Sequence, residues 1–140
     1  MKNPAVFEFV RNFVLSSPEV KQVIFVLVSL VPVTPEMAER MNISNSTLVR
    51  VISNLRREGQ KIVHDKELGY VMKEKVPYPM YIDVNGFDGR YYYGKLFGLF
   101  PCKVESDVQL NKGVNVIKGI IAGFDGERLI IKRVKQPVSS

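Results

Sequence analysis

Between residues 5 and 15 apolar side chains recur at Val6, Phe7, Phe9, Val10, Phe13 and Val14, with Glu8, Arg11 and Asn12 between them. That spacing predicts a helix with one apolar face. Ser16-Ser17-Pro18-Glu19 stops this helix and starts another: Ser17 suits an N-cap, Pro18 the first helical position and Glu19 the first turn. The most apolar window follows, Val23 to Val33, interrupted only by Ser29 and Pro32. A membrane span needs roughly 20 residues, so this window reads as a buried helix reaching about Val31. A buried strand is the alternative, because β-branched residues abound. Thr34-Pro35-Glu36 repeats the start signal and predicts a short helix over 35–41. Ser44 opens a fourth helix, over 44–58, with Leu48, Ile52 and Leu55 on one stripe. Gly59 ends it, since a residue without Cβ suits the left-handed position beyond a helix C-terminus.

After Gly59 the period changes. Lys61 to His64 and Gly69 to Lys73 read as two strands joined by Asp65-Lys66-Glu67-Leu68, a hairpin. Residues 73–79, charged and punctuated by Pro77 and Pro79, form a connector that divides a unit over 1–75 from one over 80–136. Beyond it the pattern is all β, with strand candidates at 80–85, 90–97, 102–110, 114–122 and 128–134. Two turns share a tetrapeptide, Gly86-Phe87-Asp88-Gly89 and Gly123-Phe124-Asp125-Gly126; Asp-Gly favours tight hairpins because both residues tolerate positive φ. The echo marks either a duplicated hairpin or repeated use of a good turn. Five short strands in this length suggest a small barrel of SH3-like, Sm-like or OB-like type. The expected fold class is α+β.

The segment Thr34 to Met72 has the pattern of a helix-turn-helix followed by a short β wing. Met41-Asn42-Ile43-Ser44 is a tight connection that would bury Ile43, and Met37, Ala38 and Met41 point inward. The face of the fourth helix opposite its apolar stripe carries Asn45, Ser46, Thr47, Arg50, Ser53, Asn54 and Arg57. Such side chains can hydrogen-bond base edges or phosphates in a major groove. The net charge of +6 suits a polyanionic partner. From Ser44 to Lys66 five basic residues (Arg50, Arg56, Arg57, Lys61, Lys66) face two acids (Glu58, Asp65), a balance of +3. Residues 1–75 and 76–140 also carry +3 each, so within the first half the excess is concentrated there.

Leu55-Arg56, Gly59, Ile62 and Gly69-Tyr70-x-Met72 resemble the wing signature of the biotin-repressor type of winged helix, and 35–44 resembles its preceding helix and turn. The likeness covers about forty residues and implies double-stranded DNA as partner. It puts Asn45, Ser46, Thr47, Arg50, Asn54 and Lys66 at the interface, and the basic pattern adds Arg57 and Lys61. Two departures stand out. No biotin-ligase segment or glycine-rich arginine motif is present, and Val49 and Val51 are more apolar than a groove-facing helix needs. A winged helix can also dock on protein, and Arg56 and Arg57 could pair with Glu58 or Glu36. The helix over 5–15 either pairs two copies, presenting two fourth helices to successive major grooves, or completes the core.

Residues 116–132 resemble the bent central hairpin of Sm-like and SH3-like barrels, which bind RNA, peptides or one another. The barrel is therefore expected to serve oligomerisation, effector contact or a protein partner. Tyr91-Tyr92-Tyr93 with Lys95, Phe97 and Phe100 is its most site-like stretch, since aromatics beside lysine can stack bases. Alternation puts Tyr91, Tyr93 and Phe97 on one face and Tyr92 on the other, so some belong to the core. An RNA-binding role would require the tyrosines and neighbouring lysines to be exposed together.

Candidate chemistry is sparse. His64 and Cys102 are the only histidine and cysteine, too few for a usual zinc site. No phosphate-binding glycine loop occurs. Asp83, Asp88, Asp107 and Asp125 sit in or beside turns, where Asp serves the backbone, unless three converge on a metal. No enzyme activity and no cofactor are expected. The lone cysteine and the lack of a signal-like start lead to an expectation of a cytoplasmic protein without membrane contact.

Overall fold

The computed structural model describes residues 4–14 and 19–134. Leu15, Ser16, Ser17 and Pro18, expected to end the first helix and cap the second, lie outside the described residues. Glu19, expected in the first turn of the second helix, is instead its extended N-cap residue, so that helix starts only at Val20. The chain divides into two compact units, with the boundary in the sequence between Val76 and Pro77.

The first unit contains α1 (Pro4–Val14), α2 (Val20–Leu30), α3 (Pro35–Arg40), α4 (Asn45–Arg57), β1 (Lys61–Asp65) and β2 (Gly69–Glu74). Every residue of α2 from Val23 to Ser29 is buried. A helix apolar all round is stable only when surrounded, and α1, α4 and β2 pack around this one. Ser29 keeps its hydroxyl satisfied by donating to the Phe25 carbonyl at 2.7 Å. The apolar window is thus a helix and not a strand, and Pro32 prevents its extension. Among the described residues no helix is long and apolar enough to cross a membrane.

In α1, Val6, Phe7 and Val10 are fully buried, with the Arg40 guanidinium 4.6 Å from the Phe7 ring centre. Of the two roles expected of this helix, completing the core is the one its inner face performs. Phe9 and Phe13 are half-buried and lie against each other at 5.3 Å.

Both expected caps of the middle helices form. Thr34 Oγ1 accepts the Met37 N–H, and Ser44 Oγ accepts the Thr47 N–H, each at 3.2 Å. Between α3 and α4 the chain turns through Asn42 at a φ of +60°, a conformation asparagine tolerates. The Ile43 N–H then returns to the Ala38 carbonyl at 2.8 Å, and the Ile43 side chain is buried.

Backbone pairing fastens the β1–β2 hairpin to the segment between α2 and α3. Val33, just before α3, exchanges two backbone hydrogen bonds with Tyr70 of β2, at 2.9 and 2.7 Å. Gly69 makes this approach possible. Its φ is +89°, and a Cβ there would lie 2.3 Å from the Val33 oxygen. The charged connector is also more than a linker. Lys75 reaches back to donate to the Ser29 carbonyl at 2.7 Å near the end of α2, and its burial lowers its pKa.

The second unit is a closed barrel of β3 (Tyr78–Phe87), β4 (Tyr92–Leu96), β5 (Phe100–Glu105), β6 (Gly113–Phe124) and β7 (Leu129–Arg133), in the order β3-β4-β5-β7-β6. All pairings are antiparallel except β5 with β7, which is parallel from Cys102↔Leu129 to Glu105↔Lys132. Alternate residues point inward: Met80, Ile82 and Val84 from β3, Tyr92 and Leu96 from β4, Phe100, Cys102 and Val104 from β5, Ile117 and Ile121 from β6, and Leu129 and Ile131 from β7. On the outside of the β3–β6 pair, Tyr81 faces Val116 and Asp83 faces Val114, leaving an exposed apolar stripe.

Two expectations need correction. The strand expected over 102–110 ends at Glu105: the Ser106 hydroxyl bonds to both the amide and the carbonyl of Val108, and the chain loops until Leu110 returns to the core. Phe97 does not share the face of Tyr91 and Tyr93. It lies beyond β4 at a φ of +56° and is buried against Tyr81, whose hydroxyl donates to the Phe97 carbonyl at 2.9 Å.

Candidate nucleic-acid interface

The helix α4 buries Leu48, Val51, Ile52 and Leu55 and turns Ser46, Val49, Arg50 and Arg57 outward, with Ser53 half-exposed between them. Positions three, four and seven apart share one face of a helix, so these form a single ridge. Val51 belongs to the core, and of the two valines suspected of an apolar docking face only Val49 is exposed, at 43%. Ser53 lies on this ridge as the helical spacing predicts, and Val49 joins it.

At the N-terminal end of α4 the hydroxyls are organised by the cap. Ser44 donates to Thr47 Oγ1 at 2.9 Å and lies 3.2 Å from the Ser46 hydroxyl. Asn45 and Ser46 are exposed, whereas Thr47 is half-buried with its oxygen already engaged. One turn further on, Arg50 is exposed. Among the described residues, neither its side chain nor those of Lys61 and Lys66 enter an ion pair. Arg57 donates to the side-chain oxygen of Asn54, which engages one of that oxygen's two lone pairs.

Neither arginine near the end of the helix pairs with Glu58 or Glu36. Glu58 is taken by Lys21 at 3.1 Å, which removes its charge from the basic face. Arg56 serves the fold instead: its Nε donates to the Ile62 carbonyl at 2.8 Å, and its guanidinium lies 5.8 Å from the centre of the Tyr70 ring. It thereby clamps α4 to the hairpin. The buried Gln60, which no sequence signal marked, donates to the Val76 carbonyl at 3.2 Å and fixes the far end of the unit.

The hairpin places Lys66 at its tip and Lys61 at the start of β1, both exposed. Asp65 folds the tip by accepting the Glu67 and Leu68 N–H groups at 2.8 and 2.9 Å. The Leu68 amide first and the Glu67 amide second lower its pKa. Lys66 therefore stands between two carboxylates, and any grip of the tip on an anion rests on that lysine alone. Lys61 faces Glu74 across the ladder. Positive charge is consequently least diluted along α4, at Arg50 and Arg57.

Among the described residues, no three His, Cys, Asp or Glu side chains gather as a metal site requires. Cys102 is fully buried, and its desolvation pushes the thiol pKa up to about 12. No family model, no curated protein and no solved structure matches this chain.

Proposed function

We propose that residues 20–74 form a winged helix that binds duplex DNA as part of a transcription regulator, with α4 in the major groove and the β1–β2 hairpin as the wing on the backbone. One observation carries this reading: the outward ridge of α4 presents Asn45, Ser46 and Arg50 to solvent, and among the described residues no carboxylate pairs with Arg50 or Arg57. Exposed amide, hydroxyl and guanidinium groups on one helix face are what base-edge recognition uses, and an exposed valine suits a thymine methyl. The element order supports the same reading, because an isolated backbone bridge at Val33 ties the hairpin to the segment between α2 and α3.

The barrel, in this proposal, is OB-like. Its parallel β5–β7 pair favours that type over the Sm-like or SH3-like barrel that residues 116–132 resemble. A protein partner of the barrel would use the exposed stripe of Tyr81, Val114 and Val116. Pairing of two copies would give a palindromic site with half-sites about one DNA turn apart.

The test is fluorescence anisotropy with a pool of random duplexes across a salt series, followed by selection of the preferred sequence. Binding should weaken steeply with salt. On the selected site Arg50→Ala should cost about 1–3 kcal/mol and relax the preference at one position. Absence of duplex binding at low salt ends this reading, and unchanged affinity of a folded Arg50→Ala protein removes Arg50 from the interface.

A further inference from the structure

The two Gly-Phe-Asp-Gly turns fold alike. Asp88 Oδ1 accepts the Arg90 and Tyr91 N–H groups, both at 2.8 Å, and Asp125 Oδ1 accepts those of Glu127 and Arg128 at 2.8 and 2.7 Å. Their remaining carboxylate oxygens reach the outer surface of the barrel. Asp88 Oδ2 receives the Tyr93 hydroxyl at 2.6 Å, and Asp125 Oδ2 holds Lys103 Nζ at 3.1 Å. Tyr93 and Lys103 are direct cross-strand partners in the β4–β5 pair. The repeated tetrapeptide thus forms two rims that fix neighbouring side chains of one face.

That face interleaves rings and cations. Arg90 and Lys103 lie 5.0 and 4.8 Å from the centre of the Tyr91 ring, and Arg128 lies 5.1 Å from that of Tyr93. Tyr91 and Tyr93 are half-exposed, Lys95 is exposed, and Tyr92 between them is buried. Lys103 is balanced by Asp125, but among the described residues Arg90, Lys95 and Arg128 enter no ion pair. A surface on which Arg90, Lys95 and Arg128 stand outside any ion pair among the described residues, set with two aromatic rings of which Tyr93 is anchored, calls for a polyanion whose monomers carry flat faces.

We propose that this face binds single-stranded nucleic acid, with successive bases stacking on Tyr91 and Tyr93 and the backbone following Arg90, Lys95, Lys103 and Arg128. A base arriving over a ring replaces a cation–π contact, which is weak at an exposed site, by stacking, which is stronger. The displaced guanidinium then meets the phosphate of the same nucleotide. The tyrosine hydroxyl held by Asp88 keeps the Tyr93 ring in place, so little ordering remains for the binding event. The site is separate from α4 and does not depend on the duplex-binding proposal.

The test uses the full chain and labelled twelve-residue oligomers of deoxythymidine and of uridine. Either oligomer should bind with a salt dependence of log K of about −2 for three phosphates. The chain has six tyrosines and no tryptophan, so stacking should quench its intrinsic emission directly. Replacing both Tyr91 and Tyr93 by alanine should weaken binding about thirtyfold or more and abolish the quench. Tyr93→Phe keeps the ring but loses its tie to Asp88, so it should bind more weakly than the native chain and more tightly than the double variant, with the quench from Tyr91 retained. Should the double variant misfold, Lys95→Glu on the exposed surface should lower affinity without altering the fold. The proposal is overturned if neither oligomer binds the native chain, if Arg50→Ala abolishes binding while the tyrosine variants do not, or if polyglutamate displaces the oligomers equally well, since that reports charge without stacking.

Discussion

Replacing Gly69 with alanine should loosen the hairpin from the helices of the first unit, and the structure separates the causes. At a φ of +89° alanine pays a backbone penalty of about 1–2 kcal/mol. Its Cβ would also lie 2.3 Å from the Val33 oxygen, so the two backbone bonds between Val33 and Tyr70 must lengthen or break. Each is worth about 0.5–1.5 kcal/mol, giving a total loss of about 2–5 kcal/mol. Gly59 supplies the control. Its φ is +100°, yet a Cβ there meets nothing within 4 Å, so Gly59→Ala should cost only the backbone part. Urea unfolding followed through the helical far-UV signal gives both values from the shift in midpoint at constant slope. Equal losses in the two variants would refute the reasoning, because the contact with Val33 would then contribute nothing to stability.

On the proposed duplex binding, Lys66→Ala should weaken the affinity for all duplexes alike and flatten the salt dependence by about one charge, read by anisotropy; a sequence-selective loss would give the hairpin tip a reading role. Cys102, fully buried with its thiol pKa pushed up to about 12, should resist a disulfide reagent in the native protein at mildly alkaline pH and react on unfolding; rapid native labelling would show that the barrel opens. Asp88 should titrate near 2, against an ordinary 3.8, because the Tyr91 amide, the Tyr93 hydroxyl and the Arg90 amide all favour its charged form. Its contribution to stability is therefore complete above 3.8 and lost as pH falls through about 2. Carboxyl carbon shifts in a pH series check this, and a midpoint at the ordinary value would dissolve the turn's role.

Local signals in the sequence carried most of the first unit. Thr34 and Ser44 act as caps because their short polar side chains meet amides three residues ahead, and Gly59 takes its positive φ for reasons contained in its own backbone. The ridge of α4 followed from spacing alone. What spacing could not convey was partnership across the chain. Glu58 is neutralised by Lys21, 37 residues earlier, and Lys75 belongs to a carbonyl 46 residues away. In the barrel, alternation separated Tyr92 from Tyr91 and Tyr93, but it failed where the backbone leaves the extended region, at Phe97 and after Glu105. The early start of β3 ran against Pro77 and Pro79. It is tolerated because the first residues of β3 pair with β6 only, on the side that does not require the proline amide.

The place of β7 in the barrel has a consequence for synthesis. This strand lies between β5 and β6, and both of its neighbours precede it in the chain. Until residues 129–133 have left the ribosome, β5 and β6 each offer a row of unsatisfied amides and carbonyls. The barrel cannot close gradually from its N-terminal side, while the helices over residues 20–57 join neighbours close in sequence. Pausing or truncation between residues 124 and 129 would therefore produce a chain with a structured first half and two open sheet edges, the form most exposed to β-pairing between nascent chains.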